Sequence, residues 1–418
     1  MTQVRRTRWL VWGLTVAILF SIHPTSVAAG LAGEGARTAQ EKIAQTDWAG
    51  VRGVNFIPSY ASNPYEIWRN YDHNVFDREL RLAGAVGYNG VRLWLNYSVY
   101  EELGPKMVDR VEDALRLCAK YHLRAVVNLF DSCGTRPRPD ARWMTASEAY
   151  DHFMNNPRLS AEKRQFLQQY FGQYVKGYGK NTLVPVGSDS TMMTILWQNW
   201  QSTPGNNRLS PESYPKIEAY VDALLGRLKD NPNVLQWDMM NEPEFVSEGP
   251  LTATMLFKPE EFKLVEAFLT HLHGYIKQRY PDEVVSIGWA DLEDSRKHAD
   301  LVDVLNFHVY AEPDKLQQTI DQAVAIGKNA GKPIIITETL ANWVGSPNFS
   351  KLASDEGQLA HYQKVLPVLL KSPIGWMAWG LVISRDFDPF CDIFYPDGHP
   401  RPAAVYLEEM LKGSGTSK

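Results

Sequence analysis

The sequence predicts an α/β protein, a (β/α)8 TIM barrel with one long insertion after its third strand. Three observations carry that expectation. Eight short runs rich in Val, Ile, Leu and Trp recur at 53–56, 91–96, 124–130, 234–240, 284–289, 304–309, 334–338 and 375–380. Their hydrophobicity is nearly continuous rather than alternating, as in parallel strands buried on both faces. Amphipathic stretches with helical spacing lie between them. With 418 residues, 44% of them hydrophobic, the chain can bury the core of such a barrel as one unit. No internal repeat and no linker divides it.

At the amino terminus, Arg5, Arg6 and Arg8 precede an apolar stretch over 9–20 and the small-residue site Ser26-Val27-Ala28-Ala29. Residues 1–29 thus read as a secretory signal, implying a secreted or periplasmic protein. The apolar part is short for a bilayer span, so cleavage is expected, with retention as an anchor left open. A polar lead follows over 30–46, and 47–413 is read as the barrel domain. Helices are expected at 76–86 and 108–121 after the first two strands. After the third, residues 131–207 far exceed an ordinary βα loop. This insertion contains a helical piece at 161–178 and the aromatic segment Trp197-Gln198-Asn199-Trp200. Leaving the carboxyl side of the barrel, it is read as one wall of a cleft, with a helical buttress as the alternative. Further helices are expected at 214–229, stopped by Asn231-Pro232, at 259–279, at 316–329, stopped by Gly331-Lys332-Pro333, and at 358–371.

In this architecture chemistry sits at the carboxyl ends of the strands. Asn241-Glu242-Pro243 closes the fourth strand, and Glu338 closes the seventh, 96 residues further on. Double displacement at a sugar needs two carboxyl groups ~5–5.5 Å apart, one as nucleophile and one as acid then base. Glu242 and Glu338 are the candidate catalytic pair, Glu242 as proton donor and Glu338 as nucleophile, with Asn241 gripping the sugar beside the scissile bond. Repulsion from an ionised Glu338 and partial burial favour the protonated form of Glu242. Glu338 itself needs cationic or hydrogen-bonding neighbours. Arg92 in the second strand is expected to face it, because a buried guanidinium without an anionic partner is costly. By period-2 alternation Asn306, His308 and Tyr310 share a face. Tyr310 can then donate to Glu338, and His308 can reach substrate or Tyr310. Trp379 is the candidate stacking platform at the eighth strand, and Trp197 and Trp200 are candidates in the insertion; core packing is the alternative for each aromatic. Asp238 has the parity of Glu242 but lies deeper and is read as structural; Glu244 also flanks the pair.

Thirteen Trp, 19 Tyr and 16 Phe serve mainly the core, leaving a few for stacking on carbohydrate. Removing residues 1–29 takes three positive charges away and moves the formal net charge from −5 to −8. A mildly acidic surface argues against nucleic-acid binding. No later segment is apolar for the ~20 residues of a membrane span, so no stable membrane anchor is expected. Three cysteines are too few for a disulfide scaffold; Cys118 reads as a buried apolar residue, and Cys133 and Cys391 are left open as a pair. No His-rich ligand spacing appears, so no metal or other cofactor is expected. The expected partner is a carbohydrate substrate, and the expected state a monomer.

With these residues in place, the chain from residue 53 to about 410 resembles clan A retaining glycoside hydrolases, nearest to the cellulase-like family 5. The resemblance implies roles for a strand-two Arg (Arg92), a strand-four Asn-Glu (Asn241, Glu242), a strand-six His and Tyr (His308, Tyr310), a strand-seven nucleophile (Glu338) and a strand-eight Trp (Trp379). One departure stands out. Family members often carry a His at the end of strand three, where this chain reads Asn128-Leu129-Phe130-Asp131-Ser132. Recognition around the reacting sugar is therefore expected to differ from a cellulase. The implied activity is hydrolysis of a β-linked oligo- or polysaccharide of the β-glucan or β-mannan class. An exo-acting β-glycosidase, its cleft closed at one end by the insertion, is one alternative; a non-catalytic sugar-binding barrel is another.

Overall fold

Eight parallel strands close on themselves in the computed structural model. In chain order they are β1 (Arg52–Phe56), β2 (Gly90–Trp94), β3 (Arg124–Asn128), β8 (Val234–Asn241), β9 (Val285–Trp289), β10 (Leu305–His308), β11 (Ile334–Thr339) and β12 (Gly375–Ala378). Each pairs with the next, β3 pairs with β8, and β12 returns to β1. The structure describes residues 37–61, 64–137, 142–155, 157, 161, 164, 168, 183–186, 200–203, 209–245, 259–341, 354–382 and 391–414. Residues 1–29, read as a signal, lie outside these. Residues from Arg37 on belong to one compact unit.

The connecting helices follow the sequence periodicity, and their ends follow local chemistry. His73–Val86 starts at Asp72, whose carboxylate accepts from the backbone of Asn74 and Val75, and stops at Gly87 in the left-handed region (φ +106°). Pro313–Ala330 stops likewise at Gly331 (φ +65°). Pro105–Lys120, Tyr214–Leu228, Pro259–Arg279 and Asp355–Lys371 complete the set read from sequence. The structure adds Ala39–Gln45, Pro64–Arg69, Tyr97–Leu103, Ala146–Met154, Leu292–Lys297 and Pro402–Ser414. Between barrel and helices lies a core that includes the fully buried Trp68, Trp237, Trp289 and Trp376.

The barrel interior is layered. Its floor is apolar: Val126, Leu235, Val284, Val304, Ile335 and Met377 pack with Ala39, Ile43 and Trp48 from the amino-terminal segment. The polar lead expected up to residue 46 thus contains a helix that plugs the barrel floor. It carries a capping box between Thr38 and Glu41, and its Lys42 Nζ lies 2.6 Å from the buried Glu283. Above the floor the interior turns polar, with Asn55, Arg92, Asn128, Gln236, Asp238, Ser286, Asn306 and Thr337 all buried.

Two register shifts aim the upper layer. Relative to β10 and to β12, β11 carries one extra residue around Thr337. Ile334 and Ile336 pack in the outer core and Ile335 on the floor, so strict alternation would send Glu338 outward with Ile336. The bulge rephases it inward, as bulges beside active sites do. β8 has a matching extra residue between Asp238 and Asn241 against β9.

The insertion begins at the barrel mouth. β4 (Asp131–Pro137) pairs with β8 through Asp131 and Asn241, and runs antiparallel to β7 (Trp200–Thr203); β5 (Arg142–Thr145) and β6 (Leu183–Val186) form a separate antiparallel pair. No strand is expected here from the sequence, whose polar, Gly- and Pro-containing segments lack a period-2 pattern. Of the helix read over 161–178, only Ala161, Arg164 and Gln168 are described, each helical.

Candidate active site

Arg92 organises the mouth of the barrel. Fully buried, it projects from β2 into the interior, while its neighbours Val91 and Leu93 face the helices. Its Nε and Nη2 donate to Asp238 Oδ2 at 3.0 and 2.6 Å, Nη2 also to Asn241 Oδ1 at 2.9 Å, and Nη1 to Glu338 Oε1 at 2.7 Å. Asn55 on β1 offers Oδ1 to Nη1 at 3.4 Å. The guanidinium lies 4.4 Å above the Trp94 ring. A buried cation survives only with partners of this kind. Here two carboxylates and two amides supply them.

Gly288 on β9 makes the space. A β-carbon there would sit 2.5 Å from Arg92 Nη2 and 3.0 Å from Asp238 Oδ2. The pairing of Arg92 with Asp238 therefore requires glycine at this position.

Glu338 ends β11 with both oxygens engaged. Besides Arg92 on Oε1, the Tyr310 hydroxyl donates to Oε2 at 2.6 Å. Tyr310 is 38% exposed as a residue, yet its hydroxyl is turned onto the carboxylate. Burial pushes the Glu338 carboxyl above the ordinary carboxylate range; Arg92 and the donated Tyr310 hydroxyl pull the other way.

Glu242 follows β8 with a left-handed backbone (φ +41°), and its N–H donates to Gly288 O at 2.7 Å. Its side chain is 16% exposed, against 6% for Glu338, so it is the more open of the two. His308 stands between them, with Nδ1 2.8 Å from Glu242 Oε1 and 3.5 Å from Glu338 Oε2. Its ring therefore contacts Glu242. Burial lowers the His308 pKa to about 4, with Arg92 adding to the effect and Glu338 and Asp238 opposing it. At neutral pH the imidazole is uncharged. Its Nδ1 can then donate to an ionised Glu242 or accept from a protonated one.

One donor atom each from Glu242, His308 and Glu338 lies within 4.8 Å of the others. Such a set can converge on a small cation, but Arg92 already supplies positive charge at Glu338. The arrangement equally provides two carboxyl groups facing one gap, one oriented by a cation and a phenol, the other held by a neutral imidazole.

The structure thus brings together Arg92, Asn241, Glu242, His308, Tyr310 and Glu338. Trp379 is half-buried beside them, its ring edge-on to Trp94 at 5.4 Å, while Trp376 is fully buried against Tyr88 on the outer side of the barrel. Trp197 lies outside the described residues, and of Trp200 only the backbone, at the start of β7, is described. Asp238, read as structural, is in fact the closest anionic partner of Arg92. Asp131, where the resemblance expects a strand-three His, is buried and accepts from Asn241 Nδ2 at 3.0 Å. Gly288 carried no sequence signal beyond being a glycine within an apolar strand.

The closed parallel barrel ringed by helices is a (β/α)8 TIM barrel, a fold the chain shares with solved glycoside hydrolase structures. Among solved structures the chain is similar to the exo-β-1,4-mannosidase Op5Man5 of Opitutaceae bacterium strain TAV5, with 15% identity and a TM-score of 0.53 over 87% of this chain and 59% of that one. It is similar to GH5_18 from Streptomyces cattleya in complex with GlcNAc, with 14% identity and a TM-score of 0.55 over 88% and 81%. It is also similar to the β-glycosidase BGL167, with 11% identity and a TM-score of 0.54 over 89% and 98%. No protein-family model and no curated protein matches the sequence.

Proposed function

We propose that this chain is a retaining β-glycoside hydrolase in which Glu338 is the nucleophile and Glu242 the acid and base. The observation that carries the reading is the separation of the pair: donor oxygens of Glu242 and Glu338 lie within 4.8 Å of each other. Double displacement uses carboxyl groups ~5–5.5 Å apart, whereas inversion leaves ~6.5–9.5 Å for a water between them. Glu338 attacks the anomeric carbon, helped by Arg92 and Tyr310, which fix its direction. Glu242 protonates the departing glycosidic oxygen. The resulting glycosyl ester on Glu338 is hydrolysed by a water that Glu242, now ionised, deprotonates. His308 accompanies Glu242 through both steps, because its neutral ring pairs with either protonation state.

The substrate class we favour is a β-linked glucan or mannan, or an oligosaccharide derived from one. The mannosidase among the structural neighbours and the half-buried Trp379 at the mouth support it. Membership of family 5 rests on the motif set, and export on the basic and apolar character of residues 1–29. Release of 4-nitrophenol from 4-nitrophenyl β-glycosides and of reducing ends from β-glucans and β-mannans tests the reading. Activity on at least one, lost by several orders of magnitude in Glu338→Gln, is the expected result. A Glu338→Gln variant as active as the parent would contradict it.

A further inference from the structure

One buried acid beside the pair takes no part in the mechanism. Glu244 lies two residues beyond Glu242, in the 3-10 turn Pro243–Phe245, and is 6% exposed. Its Oε1 accepts the Ala290 N–H at 2.9 Å, and its Oε2 is buried with no hydrogen-bond partner among the described residues.

We propose that Glu244 is a positioning residue: it clamps the turn carrying Glu242 onto the end of β9 and so holds the acid at the leaving-group oxygen. The inference rests on Glu242 being the proton donor. Two hydrogen bonds tie this turn to one short stretch of backbone: Glu242 N–H to Gly288 O at 2.7 Å, and Ala290 N–H to Glu244 Oε1. Between them Glu242 adopts φ +41°, a conformation that a non-glycine residue holds only when its surroundings over-determine it. The clamp supplies the second tie. Burial raises the Glu244 pKa well above the ordinary range, and the negative groups facing it, Glu242 in its own turn and Asp294 in Leu292–Lys297, act in the same direction. These influences favour the protonated form, which still accepts the Ala290 N–H through its carbonyl oxygen. That also explains why a third glutamate so close to the pair does not compete with Glu338 as a nucleophile.

Glutamine keeps the acceptor oxygen for the Ala290 N–H, whereas methionine keeps the volume and removes the acceptor. The test compares Glu244→Gln and Glu244→Met on phenyl and 2,4-dinitrophenyl glycosides of β-D-mannose and β-D-glucose, with Glu242→Gln as control. Dinitrophenolate departs without protonation and phenolate does not, so a misplaced acid lowers kcat/KM, which reports formation of the glycosyl ester, only on the phenyl substrate. Glu244→Met should lose about 10- to 100-fold in kcat/KM on phenyl glycosides and less than about threefold in kcat/KM on dinitrophenyl glycosides. Glu244→Gln should stay within about threefold of the parent on both. Should Glu244→Met fail to fold, Ala290→Pro removes the donor of the same bond and should give the same split. Equal losses on both leaving groups, or a lower melting temperature with unchanged kinetics, would make Glu244 a packing residue and overturn the clamp alone. If Glu242→Gln itself shows no leaving-group dependence, the assignment of the acid fails and the clamp falls with it. Absence of hydrolysis by the parent enzyme on every glycoside would instead defeat the glycosidase reading.

Discussion

At the scale of single residues, the site is an exercise in keeping charges buried and aimed. Arg92 is the hinge of it, and Gly288 is what lets Arg92 fit. Gly288→Ala should push the guanidinium off Asp238 and Glu338, lowering kcat by about 100-fold and stability by about 1–3 kcal/mol; steady-state kinetics and urea unfolding read both. His308 supplies a prediction about pH. Its folded pKa of about 4 lies below the ordinary value of 6.5, so the unfolded chain binds the extra proton first as pH falls. The stability linked to His308 is fully present above pH 6.5 and is lost as pH drops toward 4. The window corresponds to roughly 3 kcal/mol. The difference in urea midpoint between pH 7 and pH 5 should therefore shrink in His308→Asn; an unchanged difference would show that the ring is not the titrating group.

At the scale of elements, the bulges on β8 and β11 decide what the site contains. The positions of the strands were legible because both-face burial leaves near-continuous apolar runs; 53–56 became Arg52–Phe56 and 124–130 became Arg124–Asn128. Their side-chain phase was not, because parity counting assumes a regular strand. Asp238 was read as structural from its depth in the strand, and at that depth it pairs with Arg92. Short helices were missed for another reason: six or seven residues, as in Leu292–Lys297 or Ala39–Gln45, span too few turns for a period to emerge. The floor helix invites a direct test. Truncation to residue 47 removes Lys42 from Glu283 and uncovers the apolar floor, so the melting temperature should fall by about 5–10 °C with kcat and KM unchanged.

At the scale of the whole molecule, the barrel places residues from β1, β2, β8, β10 and β11 at one mouth, although Asn55 and Glu338 are almost 300 residues apart in the chain. The strand-end glutamates and Arg92 could be named from sequence because this architecture concentrates chemistry at one end of the strands. Gly288 and Asp131 could not, since their roles exist only through packing against Arg92 and Asn241. The insertion opens from the same mouth at Asp131, which favours our proposal that residues 131–207 wall the cleft. Trp197→Ala or Trp200→Ala should then raise KM on longer oligosaccharides with the melting temperature unchanged; a fall in melting temperature with unaltered kinetics would make these rings core instead. The central claim, double displacement through Glu338 and Glu242, is tested most directly by proton NMR of the first-formed sugar from a β-linked substrate. The β-anomer appearing first, with the α-anomer growing in only by mutarotation, is the predicted result; an initial α-anomer would contradict the account.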